Sequence, residues 1–344
     1  MRTEKLNYNL PAELIAYDPP AKRGSSRLLI VDRTTGSIEH GSYADIPKYI
    51  QKNDMIVLNR THVPKARVYM KDQANDRTFE VLFNKQLGKN EWELLIGGRN
   101  AHKGMRLYVN DPTKNLLVLK EQIPEQPIWI AQIEIGSPED LFDKYGHVPL
   151  PPYIKRDDVA TDLERYNTVF SERGHSAAAP TASLNLTDDI LKKVKKKGAY
   201  VEKVQLDVGW GTFAPIRSDN IEEHHIHTEK IRIEPTTCDT INDLKTRGGR
   251  LWAFGTTVTR VVESATDPVT RKIEPYTGET DIYIYPGYVW KIVDVLVTNF
   301  HAPKTSLLAL VSSFMGYELM MKAYEEAVRE RYKFLSYGDS MLII

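Results

Sequence analysis

A single cysteine, Cys238, stands in a chain of 344 residues. That excludes an internal disulfide and any multi-cysteine metal cage. Net charge is missing too: 46 Lys and Arg face 46 Asp and Glu, so the formal charge at pH 7 is zero. A protein held to nucleic acid by bulk charge is therefore not expected, and any basic region must be local. No apolar run approaches membrane-spanning length, and the opening MRTEKLNYNLP lacks the core of a signal peptide. The expectation is a cytoplasmic protein with no membrane contact. Neither an internal repeat nor a low-complexity segment stands out.

What is present suits a soluble globular enzyme, with 41% hydrophobic and 27% charged residues. The length exceeds what one core usually serves, so two domains are expected. Leu10 to Ala16 reads as a short helix with Pro11 in its first turn. Ser26 to Val31 and Asp54 to Asn59 read as strands, and Asp45 to Gln51 as a short helix. Between Val68 and His147 the runs become short and β-rich, several alternating at period two. This predicts an inserted antiparallel β-domain over 68–147, with 1–67 and 148–344 forming a discontinuous α/β domain. Thr187 caps a helix that carries Asp188 and Asp189 first and Gly198 after its end. The lysines crowding its last turns, Lys192 to Lys197, are either a solvated face matched to the helix dipole or an RNA phosphate contact.

The richest stretch runs from Leu150 to Phe213. Ala177-Ala178-Ala179-Pro180-Thr181-Ala182 has no large side chain, so backbone can approach a ligand closely. Val208-Gly209-Trp210-Gly211-Thr212 follows an apolar run and reads as a strand entering a glycine turn. Leu251 to Gly255 repeats strand into turn, and Thr256-Thr257 opens a helix whose free N–H groups suit an anion. Val293 to Thr298 repeats it again, ending at Asn299-Phe300-His301. Lys304 can meet a phosphate or carboxylate there, while His301 can carry protons near neutral pH. Arg260 and Glu263 are spaced for an intrahelical ion pair. Ile282 to Tyr285 reads as a strand. His224-His225-Ile226-His227-Thr228-Glu229 invites a metal reading, but no second cluster has ligand spacing, and no metal is expected. Tyr153, Arg156 and Tyr166 either pack in place or stack on and pair with a nucleotide.

PLPPYIKR, YNTVF, AAAPTA, VGWGTF, HHIHTEK, GTTVTR, ETDIYIYPGY, VTNFHAPKTSLLALVSSFMG and RYKFLSYGDSML occur in this order. In that order they resemble the S-adenosylmethionine:tRNA ribosyltransferase-isomerases of queuosine biosynthesis. The resemblance spans nearly the whole chain and is weakest from Val68 to His147. It implies a barrel-like mixed α/β main domain with an inserted antiparallel β-barrel. The implied enzyme is a transferase that moves and rearranges the ribosyl unit of S-adenosylmethionine onto 7-aminomethyl-7-deazaguanine in a tRNA anticodon loop. Epoxyqueuosine, adenine and methionine would be the products. A monomer or weak homo-oligomer is expected.

Carried onto this sequence, the motifs place Ala179, Pro180, Thr181, Gly209, Gly211 and Thr212 around S-adenosylmethionine, with Gly255, Thr256 and Thr257 beside them. Asp207, His227 and His301 are the candidates for proton transfer. His224 and Glu229 would share the polar wall with His227. Asn59, Tyr153, Arg156, Tyr166, Arg260, Asn299 and Lys304 are the candidates for holding substrate. The chain departs from the family pattern at Arg60, usually acidic, and His62, usually basic. Ser183, Asn185 and Leu186 stand where Gly, His and Phe are usual, and Asp207 where His is. Two other readings stay open on these departures: a paralogue using or cleaving S-adenosylmethionine without tRNA, and a non-catalytic RNA-binding relative.

Overall fold

Strands appear wherever short apolar runs meet turn residues, and the computed structural model describes residues 1–124, 126–172 and 174–344. In chain order the first strands are β1 (Arg27–Val31), β2 (Ile38–Ser42) and β3 (Met55–Asn59). Then come β4 (Arg67–Asp72), β5 (Thr78–Gln86), β6 (Glu91–Ile96), β7 (Arg106–Tyr108), β8 (Leu116–Gln122), β9 (Ile128–Ile135) and β10 (Gly146–His147). The last are β11 (Tyr200–Leu206), β12 (Glu229–Ile233), β13 (Leu251–Phe254), β14 (Tyr276–Thr280), β15 (Val295–Asn299) and β16 (Ser340–Ile343). The helices are α1 (Ile46–Tyr49), α2 (Pro138–Tyr145), α3 (Ala160–Arg165) and α4 (Asp188–Lys196). They continue with α5 (Pro235–Thr246), α6 (Thr256–Ala265), α7 (Ser306–Met315) and α8 (Tyr317–Arg329). By internal contacts the chain forms two units, Met1–Thr61 with Asn167–Gly174 and Ala179–Ile344, and His62–Tyr166 with His175–Ala178.

The first unit is mixed α/β. Its nine described strands lie in the order β14-β12-β11-β3-β13-β15-β16-β1-β2. The central four, β11, β3, β13 and β15, are mutually parallel. β3 is buried along its whole length, as a run apolar on both faces requires. Ile56 and Leu58 join a core with Ile46 of α1 and with Ile190 and Val194 of α4. α6 lies against β3, β11 and β13. α4 begins where Thr187 Oγ1 accepts the Ile190 N–H at 3.2 Å. It ends at Gly198, whose φ of +81° stops the helix. On α8, Met320, Tyr324 and Ala327 share a buried face.

In the second unit β4-β5-β6-β9-β8-β7 form an antiparallel barrel, closed where Lys71 and Asp72 of β4 pair with Tyr108 and Leu107 of β7. β10 adds to β4. In β5, Phe79, Val81 and Phe83 turn inward while Thr78 and Glu80 face out. A one-residue slip would expose three large side chains at roughly 1.5–3 kcal/mol each, which sets the register. Phe83 meets Trp92 and Phe142 edge to face, with centroids 5.5 and 5.0 Å apart.

Local readings needed correction in two places. Leu10 to Ala16 holds only a single 3-10 turn, Ala12–Leu14, too short to use a helical face. Ile282 to Tyr285 is not a strand. β14 ends before it, and the Arg260 guanidinium takes the Ile282 carbonyl at 3.2 Å, where a ladder partner would have been needed.

Candidate functional site

Four parallel neighbours deliver their C-terminal ends to one edge of the sheet, where α/β folds bind ligands. β11 ends at Leu206 and hands over Asp207; β3 ends at Asn59, just before Thr61. β13 leads into Gly255 and α6, and β15 ends at Asn299. β16 runs antiparallel to β15 and so brings its first residue, Ser340, opposite Asn299.

Asp207 is half-buried. Its Oδ1 accepts the Thr61 hydroxyl at 2.6 Å, and the Gln205 amide reaches both oxygens at 3.2 Å. Gly174, at φ +110°, passes so close to Asp207 and Thr61 that a Cβ would collide with both. A carboxylate oriented in this way, with part of its surface open, is suited to take a proton. Asn59 does something different from the expected substrate contact. Its Nδ2 donates to the Leu206 carbonyl at 2.9 Å, and its Oδ1 accepts the Thr61 and Leu206 N–H groups at 3.1 Å. The fully buried amide stitches β3 to β11. Neighbouring Arg60 turns to Glu234, at 3.0 Å.

Glu229, the first residue of β12, organises the glycine turn. One oxygen accepts the Gly209 N–H at 2.8 Å and the Thr212 hydroxyl at 2.7 Å. The other pairs with Arg260 of α6, and both partners are buried. Arg260 therefore is not the intrahelical partner of Glu263, and its guanidinium is committed to Glu229 and to the Ile282 carbonyl rather than to substrate. Glu263 instead accepts the Tyr288 hydroxyl and the N–H groups of Lys291, Ile292 and Val293. Gly211 is required by close approach, since a Cβ there would run into the His227 ring. That ring packs on Trp210 at 5.1 Å. His224 to Thr228 form no strand, Glu229 faces Arg260, and no group of three or more His, Cys, Asp or Glu that could hold a metal ion occurs among the described residues.

At the C-terminal ends of β13 and β15 lies a group of buried polar atoms. Ser183 Oγ, Thr257 Oγ1, Asn299 Oδ1 and Ser340 Oγ are buried with no hydrogen-bond partner among the described residues. The turn Thr181–Ser183 packs against β15, and Ala182 Cβ lies 3.4 Å from where a Cβ on Gly255 would be. Tyr43 holds that turn from behind, donating to the Ala182 carbonyl at 2.6 Å. Gly255 has φ +104°, a conformation that suits glycine and lets the chain pass from β13 into α6. Ala179 and Pro180 are buried, Thr181 is half-buried, and Thr256 and Thr257 are 7% and 8% exposed. Leaving a buried polar atom unpaired costs about 1–3 kcal/mol, so a water or a polar ligand group at this place would be stabilised by these four atoms.

His301 needs a correction. It is buried, its ring Nε2 is bonded to the Thr298 hydroxyl at 2.8 Å, its backbone N–H donates to the Tyr324 hydroxyl, and burial pushes its imidazole down to about 3. It stays neutral near pH 7 and cannot supply a proton there. Lys304, at φ +57°, pairs with Glu4 at 2.6 Å. Its backbone joins Leu6 and Ile216 rather than the Asn299 edge. In the second unit, Tyr153 is half-buried. Arg156 makes a two-pronged pair with buried Asp162, at 2.7 and 3.0 Å. Tyr166 is 0% exposed, so its ring offers no face for a base to stack on. No helix among the described residues is long and apolar enough to cross a membrane.

A family model described as "Queuosine biosynthesis protein" matches residues 3–343. The chain is 43% identical over 345 residues to an S-adenosylmethionine:tRNA ribosyltransferase-isomerase of Chlorobaculum parvum, covering all of both chains. It is 40% identical over 344 residues to the protein of the same name from Aquifex aeolicus, again end to end. Among solved structures it resembles an S-adenosylmethionine tRNA ribosyltransferase from Thermotoga maritima, with 31% identity and a TM-score of 0.56. That match covers 99% of this chain and 100% of the other.

Proposed function

The chain belongs to the S-adenosylmethionine:tRNA ribosyltransferase-isomerase family, and from that premise we propose how its own residues divide the work. The protein is a transferase of queuosine biosynthesis that moves and isomerises the ribosyl moiety of S-adenosylmethionine onto 7-aminomethyl-7-deazaguanine in tRNA. Epoxyqueuosine forms, and adenine and methionine are released. S-adenosylmethionine brings a sulfonium that acidifies the adjoining C5′ hydrogens. The residues present fit such a polar co-substrate: the unpaired atoms of Ser183, Thr257, Asn299 and Ser340 can meet its hydroxyl and amino-acid groups. Small Ala179, Pro180 and Thr181 bound that seat, and the α6 N-terminus at Gly255 to Thr257 favours its carboxylate.

Asp207 takes the C5′ proton. Thr61 and Gln205 orient its carboxylate for the task. His227, half-buried against Trp210, protonates the departing adenine. Glu229 and Arg260 hold the Gly209 to Thr212 turn in place and touch no reacting atom. The observation that carries this assignment is the buried set of unsatisfied polar atoms at the same sheet edge as Asp207. The second-unit residues Tyr153, Arg156 and Tyr166 are left out of the catalytic set, since Arg156 is paired and Tyr166 buried. Both substrates belong to the cytoplasm, and cores that close within one chain favour a monomer or weak homo-oligomer.

The test is a mass-resolved turnover assay with S-adenosylmethionine, with and without tRNA bearing the aminomethyl base. Adenine and methionine should appear only with that tRNA. Release without tRNA would mean a different acceptor or plain cleavage. Asp207→Asn should lose at least a hundredfold in kcat with an unchanged circular dichroism spectrum. Full activity in that variant would remove Asp207 from the mechanism.

A further inference from the structure

South of the catalytic turn in sequence, residues 215–227 run along two features that the chemistry above leaves unused. The first is a cavity of about 350 Å³ rimmed by three cationic side chains, Arg2, Arg217 and Lys304, with Glu4 and Asp219 also at its wall. Its walls are tied together: Thr3 N–H donates to the Asp219 carbonyl, Arg2 bridges Asn220, and Ile216 N–H donates to the Lys304 carbonyl. The acids here are largely spoken for. Glu4 is held by Lys304 and Asn7, Glu222 by the Met1 amino group, and Glu223 by Asn220. Arg2 and Arg217 are exposed and make no ion pair among the described residues.

The second feature begins where that segment turns at Ile221–Glu223. His224 meets the Tyr283 ring edge-on at 5.5 Å, and Tyr283 lies 4.9 Å from Tyr285. Tyr283 and Tyr285 are half-buried. Tyr283 also has a buried hydroxyl with no partner among the described residues. Three residues past His224, His227 packs on Trp210 of the glycine turn. One continuous segment therefore leads from a cavity that carries the exposed Arg2 and Arg217, past the rings of Tyr283 and Tyr285, to the wall of the candidate site.

We propose that this segment is a track for the unpaired loop nucleotides of the RNA substrate, with Arg2 and Arg217 on the phosphates and Tyr283 and Tyr285 under the bases. Single-stranded RNA is recognised by this pairing of a cationic groove with aromatic platforms, because every base has a face to stack and every nucleotide a phosphate. The local placement also answers the zero net charge, since a handful of cations on one path can guide RNA where the whole surface does not. The inference rests on the reading that the substrate is a tRNA.

The experiment measures binding of a labelled anticodon stem-loop RNA to the full chain across a salt series, alongside binding of S-adenosylmethionine. Tyr285→Ala should weaken RNA binding about tenfold, Tyr285→Phe should not, and S-adenosylmethionine binding should hold in both. The Tyr285→Ala loss should vanish on a stem-loop with abasic loop positions, which a merely structural effect would not do. Arg217→Ala should lower the slope of log Kd against log salt by about 0.7, the loss of one single-strand phosphate contact. Unchanged affinity and slope in these variants, beside a parent chain that binds and turns over tRNA, would overturn the track and leave the substrate reading intact. A slope that responds to Lys195→Ala and Lys196→Ala on α4 instead of Arg217→Ala would overturn it too. A parent chain that binds no tRNA would overturn both.

Discussion

His301 is an imidazole placed where a proton would have no water around it, and that changes what the residue can do. Its ordinary value near 6.5 falls to about 3 on burial. Between those values the unfolded chain binds a proton that the folded chain refuses, so His301 makes stability fall as pH drops from about 6.5 toward 3. Asp339 works in the opposite sense: burial raises its carboxyl, so its contribution is full at low pH and lost as pH rises through the raised value. Comparing His301→Gln with the parent cancels the Asp339 effect. The variant should show a shallower fall of Tm between pH 6.5 and 4, and parallel profiles would refute the assignment. At this scale Asp207 and the small-residue run were legible as residue types in the right order. What Asn59, Arg156 and Tyr166 do was not, because each is settled by a partner or by burial far along the chain or outside its own motif.

Elements are joined here by buried polar clamps, and the one at Glu229 links β12, the glycine turn and α6. Removing one side of a buried ion pair strands the other charge away from water, at about 3–5 kcal/mol. Glu229→Gln should cost about that much in urea denaturation and should abolish turnover by releasing the turn. Glu229→Leu with Arg260→Met should be much less destabilising, since no charge is left behind, yet equally inactive. If the double variant proved as unstable as the single, the clamp's energy would not be electrostatic. The strand-into-helix units at Leu251 to Thr257 and Val293 to Asn299 were readable from apolar runs meeting turn residues. Ile282 to Tyr285 misled because its alternation reports only that Ile284 is buried and not which backbone group takes its hydrogen bonds.

At the scale of the whole molecule, balanced charge sets solution behaviour. With 46 charges of each sign the net value at pH 7 is zero, and imidazole, buried His301 excepted, is the side-chain type whose ordinary range lies just below it. Acidification from pH 7.5 to 5.5 should therefore raise affinity for an unrelated single-stranded RNA, in fluorescence anisotropy at fixed salt. A flat response would show that local cations outweigh net charge even for non-specific binding. Sequence alone determined the class of fold, the inserted β-rich region and the family, because apolar period, turn residues and ordered motifs are local properties of the chain. Tertiary structure alone decided that Glu229 meets Arg260, that Asp207 meets Thr61, that His301 is kept neutral, and that Ser183, Thr257, Asn299 and Ser340 share an edge. Those pairings depend on strand order and depth of burial, and parallel strands β11, β3, β13 and β15 become neighbours only through crossovers that no local pattern encodes.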